Sequence, residues 1–414
     1  MPRPAQETPI ASPRTSATSA FVAFAAFGSF WGVWGASVPR VQGQARISEG
    51  QLGFALLFVG VGALPAMLLA GRALDRWGLR IAAGAIGLLG VSGIALVPTA
   101  VSLPGLCLAL GIAGAASGAA DVTINAVAGR AERETGRPVI AHAHGTFSAL
   151  VVLASLGTAG TAAAGWPPAV PFLGVAALCL TAGATILTAP PPGQPTRTDA
   201  NTVEPTATPP PTRPGIPPLL PPGALGALGA LGALALASEN AHQSWSAVFA
   251  RNQLHAGPGP AAVAPAVFAA TVAITRFATG RLHATHARTV ILAGSLTAAC
   301  GSLVIAAAPT LPIAALGLVT AGAGTAVLFP ALLAIVSRDV QETHRGRATS
   351  VITAISYLGF LLGPAYVGLW ADATGLRGAM TAVAALAVAL LLLTSPLLAL
   401  SRSTGERPPP PAPA

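Results

Sequence analysis

Apolar stretches of about 20 residues, the length that crosses a bilayer as a helix, recur twelve times along the 414 residues, and the charges fall mostly between them. They are expected at 20–39, 51–71, 81–99, 103–126, 141–164, 168–189, 223–249, 260–280, 289–307, 311–334, 346–370 and 376–400. Inside hydrocarbon a backbone must satisfy its own hydrogen bonds, so such stretches are helices. With 53% hydrophobic and only 8% charged residues, the chain has no composition left for a soluble domain. The expected fold class is an all-α membrane protein of twelve transmembrane helices embedded in a lipid bilayer.

Residues 190–222 interrupt the pattern with prolines and polar residues and read as a flexible linker. It divides the spans into an N-terminal six-helix bundle, 20–189, and a C-terminal one, 223–400. Residues 1–19 and 401–414 read as disordered tails. The first tail lacks the charged start and apolar centre of a cleavable signal.

The formal net charge is +9, yet the basic residues form no continuous stripe, so nucleic acid is not an expected partner. All 22 basic residues are arginines. With the N-terminus inside and the spans alternating, 18 of them, Arg276 included, fall on the inner side, and Arg40, Arg46, Arg251 and Arg377 fall outside. Cytoplasmic loops carry that excess. An even number of spans, with both termini in the cytoplasm, is therefore expected. A chain without lysine has no phosphate-binding loop of the Gly-x-x-x-x-Gly-Lys type, which argues against ATP-driven pumping. No soluble stretch is long enough for a catalytic domain, so neither enzyme activity nor a cofactor is expected. Cys107, Cys179 and Cys300 lie in apolar runs without metal-ligand spacing, and no metal site is expected.

The two halves echo one another. Gly71-Arg72 ends span 2 as Gly280-Arg281 ends span 8, and glycine-rich stretches open at Gly111 and Gly317. Parallel repeats are a transporter architecture, although Gly/Ala-rich helices also resemble one another without being repeats. The loop Gly71-Arg72-Ala73-Leu74-Asp75-Arg76-Trp77-Gly78-Leu79-Arg80 resembles the signature between spans 2 and 3 of the major facilitator superfamily. Four stretches resemble its bacterial branch related to fucose permease: 51–58, 121–126, 136–145 and 357–364. That branch often has an acidic residue before Trp-Ser in span 7, where Ser244 precedes Trp245 here. Fucose permease resembles a carrier with a carboxylate in span 1, where this chain has none between Phe21 and Pro39. The resemblance implies alternating access around a cavity lined by spans 1, 4, 5, 7, 10 and 11, in the bacterial cytoplasmic membrane, with a monomer as the working unit.

An ionisable side chain within a membrane helix is costly and by default marks a pathway or a proton site. Asp121 and Asn125 are four apart and share a helix face in span 4. Desolvation penalises charge, so reversible protonation is one use for Asp121; a structural carboxylate bonded to neighbouring helix ends is the other. Span 7 holds the most polar stretch of any span, Glu239, Asn240, His242, Gln243 and Ser244. Glu239, His242 and Gln243 fit one face and line either the cavity or a locally unwound helix end. Trp31 and Trp34 stack on a ligand or serve as packing. His144 matches the resembled branch and is either a gate or core. Gly71, Asp75, Arg76, Gly78 and Arg80 form a gating loop by resemblance, or a tight turn by geometry.

Together these point to a secondary active transporter that moves a small organic solute, sugar-like or another small metabolite, with protons as partner. Asp121 and Glu239 are the proton-coupling candidates. Trp31, Trp34, Asn125, Asn240, His242 and Gln243 are the substrate-binding candidates. Proton-antiport export of drugs or metabolites is the alternative within transport, and a non-transporting membrane sensor or scaffold the alternative outside it.

Overall fold

The computed structural model describes residues 13–188, 222–279, 283–340 and 342–403. Twelve helical elements follow in order: α1 (Pro13–Ala45), α2 (Glu49–Trp77), α3 (Arg80–Thr99), α4 (Leu103–Thr135), α5 (Val139–Ala163), α6 (Ala169–Thr188), α7 (Pro222–Val248), α8 (Pro258–Thr279), α9 (His283–Ala307), α10 (Leu311–Ala326), α11 (Leu328–Asp339) and α12 (Glu342–Ser403). A π-helical turn, Phe249–Gln253, prolongs α7.

Elements and spans do not correspond one to one. Among the described residues, 11 helices are long and apolar enough to cross a membrane. One of them runs 53 residues from Arg347 to Ala399, about 80 Å if straight, against a hydrocarbon core of ~30 Å. Gly375 (φ 76, ψ 171) breaks it inside α12 and folds it back as two spans. Conversely, α10 and α11 share the single span Leu311–Arg338, broken at Val327. Twelve crossings result. The chain is already helical at Pro13, with Ser16 and Ser19 buried, so residues 13–19 belong to α1 and not to a tail. Similarly, 401–403 continue α12. The expected linker lies outside the described residues except at Pro222, where α7 begins. So do Gly280 and Arg281 of the second-half loop.

Local chemistry sets the ends. Ser48 closes a capping box with Gln51 at the start of α2, satisfying two otherwise orphaned amides. Ser102 caps α4, and Gly136 ends it in the left-handed conformation (φ 63). Many hydroxyls inside the spans return to their own helix, as Thr123 does to the Ala119 carbonyl, and others bridge to a neighbour, as Ser155 of α5 does to the Gly32 carbonyl of α1. Neutral polar residues can therefore sit in the membrane without marking a site.

The first six helices pack as one bundle, α1 on α5, α2 on α4 and α3 on α6. The second bundle repeats the scheme with α7 on the first half of α12 and α8 on α10. The repeat extends to atoms: Gly28 and Gly32 of α1 lie against the Phe147 and Val151 carbonyls of α5, as Gly359 and Gly363 of α12 lie against those of Ala233 and Ala237 in α7. Without a hydrophobic drive between helices in lipid, such close approach supplies the packing. Leu68, Leu69, Leu180, Leu369 and Leu392 are exposed and form part of an apolar outer surface.

The bundles meet along α5–α8 and α2–α12. At the end bearing the α1–α2 turn, Asp372 bonds to Ser48 and Gly50, and Asn252 to Gln42 and Glu49, all across the bundle boundary. This end is latched. His144, Arg276 and Tyr357 are nonetheless accessible, although each lies within a spanning helix.

Candidate functional site

Each bundle contributes one polar cluster. In the first, Asp121 and Asn125 stand one turn apart on α4, both half-buried. Asn125 Nδ2 donates to Asp121 Oδ1 at 3.1 Å and to the Asp121 backbone carbonyl at 2.8 Å. His144 of α5 lies 3.2 Å from Asn125 Oδ1 through Nε2. Because the amide nitrogen is turned to Asp121, its oxygen accepts, and His144 carries a proton on Nε2. The imidazole edge meets Phe24 of α1, ring centroids 4.9 Å apart. Helices α1, α4 and α5 thus meet at this cluster, and Asp121, Asn125 and His144, singled out separately in the sequence, lie together in it.

In the second bundle, Arg276 Nη2 of α8 holds both oxygens of Glu239 on α7, at 2.9 and 2.8 Å. Its Nε donates to the Ala326 carbonyl at 3.2 Å. Ala326 is the last residue of α10, where the helix breaks and its terminal carbonyls lose their helical donors. One guanidinium therefore ties α7, α8 and the α10 break together. Arg276 was expected on the inner loop side; it sits within the span Pro258–Thr279. The sequence signal was an arginine inside the apolar run 268–278, which the topology count absorbed.

Tyr357, on the first half of α12, feels the charge of both Asp121 and Glu239. The residue is 40% exposed. It belongs to a stretch quoted for its resemblance, but its residue type gave no charge by which to single it out.

Other candidates do not join these clusters. His242 is 1% exposed. Its Nδ1 meets the Ser238 carbonyl at 2.7 Å, its Nε2 the Ser302 hydroxyl at 2.9 Å, and its ring stacks on Phe268. It is core of the second bundle. The i, i+3, i+4 grouping failed because His242 and Gln243 point about 100° apart: with Glu239 on the open face, Gln243 turns toward Gly35 of α1 and His242 turns inward. Asn240 is buried and donates to the Phe360 carbonyl at 2.6 Å, fastening α7 to α12. Trp34 is buried and Trp31 partly so; both border a small apolar space within the first bundle, beside Phe30, Val59 and Leu110. They pack there rather than against the polar clusters. Helix α7 is not unwound at Glu239; it widens ten residues later into the π turn that carries Asn252.

The α2–α3 loop is exposed. Gly78 adopts φ 68 and its amide bonds to the Leu74 carbonyl, so the tight turn is real. Asp75 makes no ion pair or side-chain hydrogen bond among the described residues. Arg76 lies over Trp77 at 5.4 Å, and Arg80 opens α3. Gly71 has open space where a Cβ would stand, so no contact in this conformation demands glycine there.

The sequence pattern of the Major Facilitator Superfamily matches residues 19–286 and 228–414. An uncharacterized MFS-type transporter of Yersinia pestis is 29% identical over 361 residues, 86% of this chain and 88% of that protein. Among solved structures, a bacterial homolog of the human lysosomal transporter Spinster, inward-facing and unoccupied, superposes with a TM-score of 0.73 at 17% identity, over 96% of this chain and 99% of that one. A D-xylose–proton symporter does so with 0.71 at 15%, over 92% and 97%. These structures share the fold; the matches leave the branch within the superfamily open.

Proposed function

This chain belongs to the major facilitator superfamily and is a secondary transporter, and we propose that it moves a small organic solute by alternating access, coupled to protons through Asp121 and Glu239. One observation carries this reading: each bundle holds one polar cluster within its spanning helices, with His144 and Arg276 accessible, while the two bundles are bonded together at one end. A site between two rocking bundles is reached from either side in turn. The arginine excess supports placing both termini in the cytoplasm of a bacterial cell; on that reading the latched end faces outward and the conformation is open to the cytoplasm. The likeness to an inward-facing bacterial transporter agrees with that orientation, and the likeness to a proton symporter agrees with the coupling.

In this reading Asp75, which has no side-chain partner among the described residues, pairs with an arginine or a helix end of its own bundle in one state and releases it in the other. The test is counterflow in proteoliposomes. Sugars, polyols, organic cations and small carboxylates are first screened by thermal shift, since a ligand of the folded state raises its apparent stability. A compound that shifts melting is expected to exchange in counterflow, and a pH gradient to drive its accumulation. Binding without exchange would make the chain a sensor or scaffold.

A further inference from the structure

The Arg276–Glu239 pair assigns a substrate class, and this rests on the transporter reading above. Arg276 spends Nη2 on Glu239 and Nε on the Ala326 carbonyl. Its Nη1 makes no hydrogen bond among the described residues, and the side chain is 43% exposed. Glu239 is less accessible, at 21%, and Arg276 is its ion-pair partner. A guanidinium presents a planar fork that fits a carboxylate. Here Nη2 is occupied by a residue of the protein, on an accessible side chain with a donor to spare.

We propose that the transported solute carries a carboxylate that displaces Glu239 from Arg276, and that Glu239 takes up one proton as it is displaced. The charges balance. Before binding, the Glu239 anion neutralises the Arg276 cation. Afterwards the solute anion does so, and a proton from the open-end water neutralises Glu239. A carboxylate left unpaired inside a membrane would be costly, so solute and proton enter together and the site keeps its net charge. Through Nε, Arg276 also touches the α10 break, so the exchange of partners is felt where span 10 hinges. Asp121 remains a separate proton site on the other bundle.

The test uses the full-length protein in lipid nanodiscs with lactate, benzoate and glucuronate, against the neutral lactamide, benzamide and glucose. Calorimetry in buffers of different ionisation enthalpy counts protons per ligand. At least one carboxylate is expected to bind, and its neutral partner to bind at least tenfold more weakly. Glu239→Gln is expected to tighten carboxylate binding and to lower the proton count by one; a gain of affinity cannot come from misfolding. Arg276→Gln is expected to lose it, with Glu239→Gln/Arg276→Gln, a neutral pair, as the folded control by size exclusion. The proposal is overturned if the neutral compounds bind as well, if no carboxylate binds, or if Glu239→Gln leaves the proton count unchanged. Counterflow of glucose without carboxylate binding would overturn it while leaving the transporter reading intact.

Discussion

Asp372 caps helix α2 from the opposite bundle: one carboxylate oxygen accepts the Gly50 amide at 2.8 Å and the other the Ser48 hydroxyl at 3.2 Å. The carboxylate sits at the positive end of the α2 dipole, and Ser48 is already engaged with Gln51 in the capping box. Local helix chemistry and closure between bundles thus meet at one place. Asn252 on the π turn adds bonds to Gln42 and Glu49 beside it.

Asp372→Ala is expected to loosen this end. Hydrogen bonds to a charged group contribute about 1.5–3 kcal/mol, and each 1.4 kcal/mol is tenfold in an equilibrium. A tenfold or greater rise in opening is the expected outcome. Maleimide labelling of a cysteine at Gly35, beneath the latch and near Gln243 and Pro265, measures it in a background without Cys107, Cys179 and Cys300. An unchanged labelling rate would remove Asp372 from gating.

Gly53 and Gly368 face each other where α2 and α12 cross. A Cβ on Gly53 would lie 2.9 Å from the Gly368 Cα, and one on Gly368 would lie 2.8 Å from the Gly53 Cα. Backbone cannot step aside as a side-chain tip can. Gly368→Val is expected to cost about 1–3 kcal/mol by overpacking and to raise labelling at position 35 in the same direction as Asp372→Ala. Gly84→Ala, in open space, is the control and should change neither labelling nor melting. Equal labelling in the two variants would show that this crossing does not hold the end shut.

The spans were legible in the sequence because hydrocarbon admits few alternatives: a run of apolar residues must be a helix, and a charge within it stands out. For that reason Asp121 could be located, and with it Asn125 and His144, whose spacing and motif fall within 24 residues of chain. What depends on distant partners was not legible. Asp372 meets Gly50 across 322 residues. Arg276 looked like a loop charge until Glu239, 37 residues earlier, was seen to hold it. His242 was misplaced because helical periodicity gives the face of a residue only to within a broad arc, and both core and cavity lie within that arc. The break at Val327 divides an apolar stretch at a residue the hydropathy pattern does not mark, whereas the fold-back at Gly375 falls in the gap expected between spans 346–370 and 376–400.

His242→Ala is expected to act on stability alone. The variant removes a buried ring stacked on Phe268 and leaves the Ser302 hydroxyl only its bond to the Ala298 carbonyl. Loss of a large buried side chain and its hydrogen bond costs on the order of 2–4 kcal/mol. The expected result is a lower melting temperature with unchanged KM per folded molecule. A raised KM at unchanged melting would return His242 to the substrate site.

Asp121→Asn separates proton coupling from solute binding. The variant keeps the size of the side chain and one oxygen, so Asn125 can still donate to it, while removing the group that exchanges a proton. Asp121 also lies in the electrostatic field of His144, reached through the Asn125 amide, so the variant leaves that imidazole without its nearest carboxylate. The expected outcome is normal membrane insertion and melting, retained counterflow, and loss of accumulation driven by a pH gradient. Asn125→Ala, which frees the carboxylate without removing it, should reduce accumulation only in part. If Asp121→Asn accumulates solute as well as the parent protein does, Asp121 is a structural carboxylate, and the coupling proton belongs to Glu239 alone.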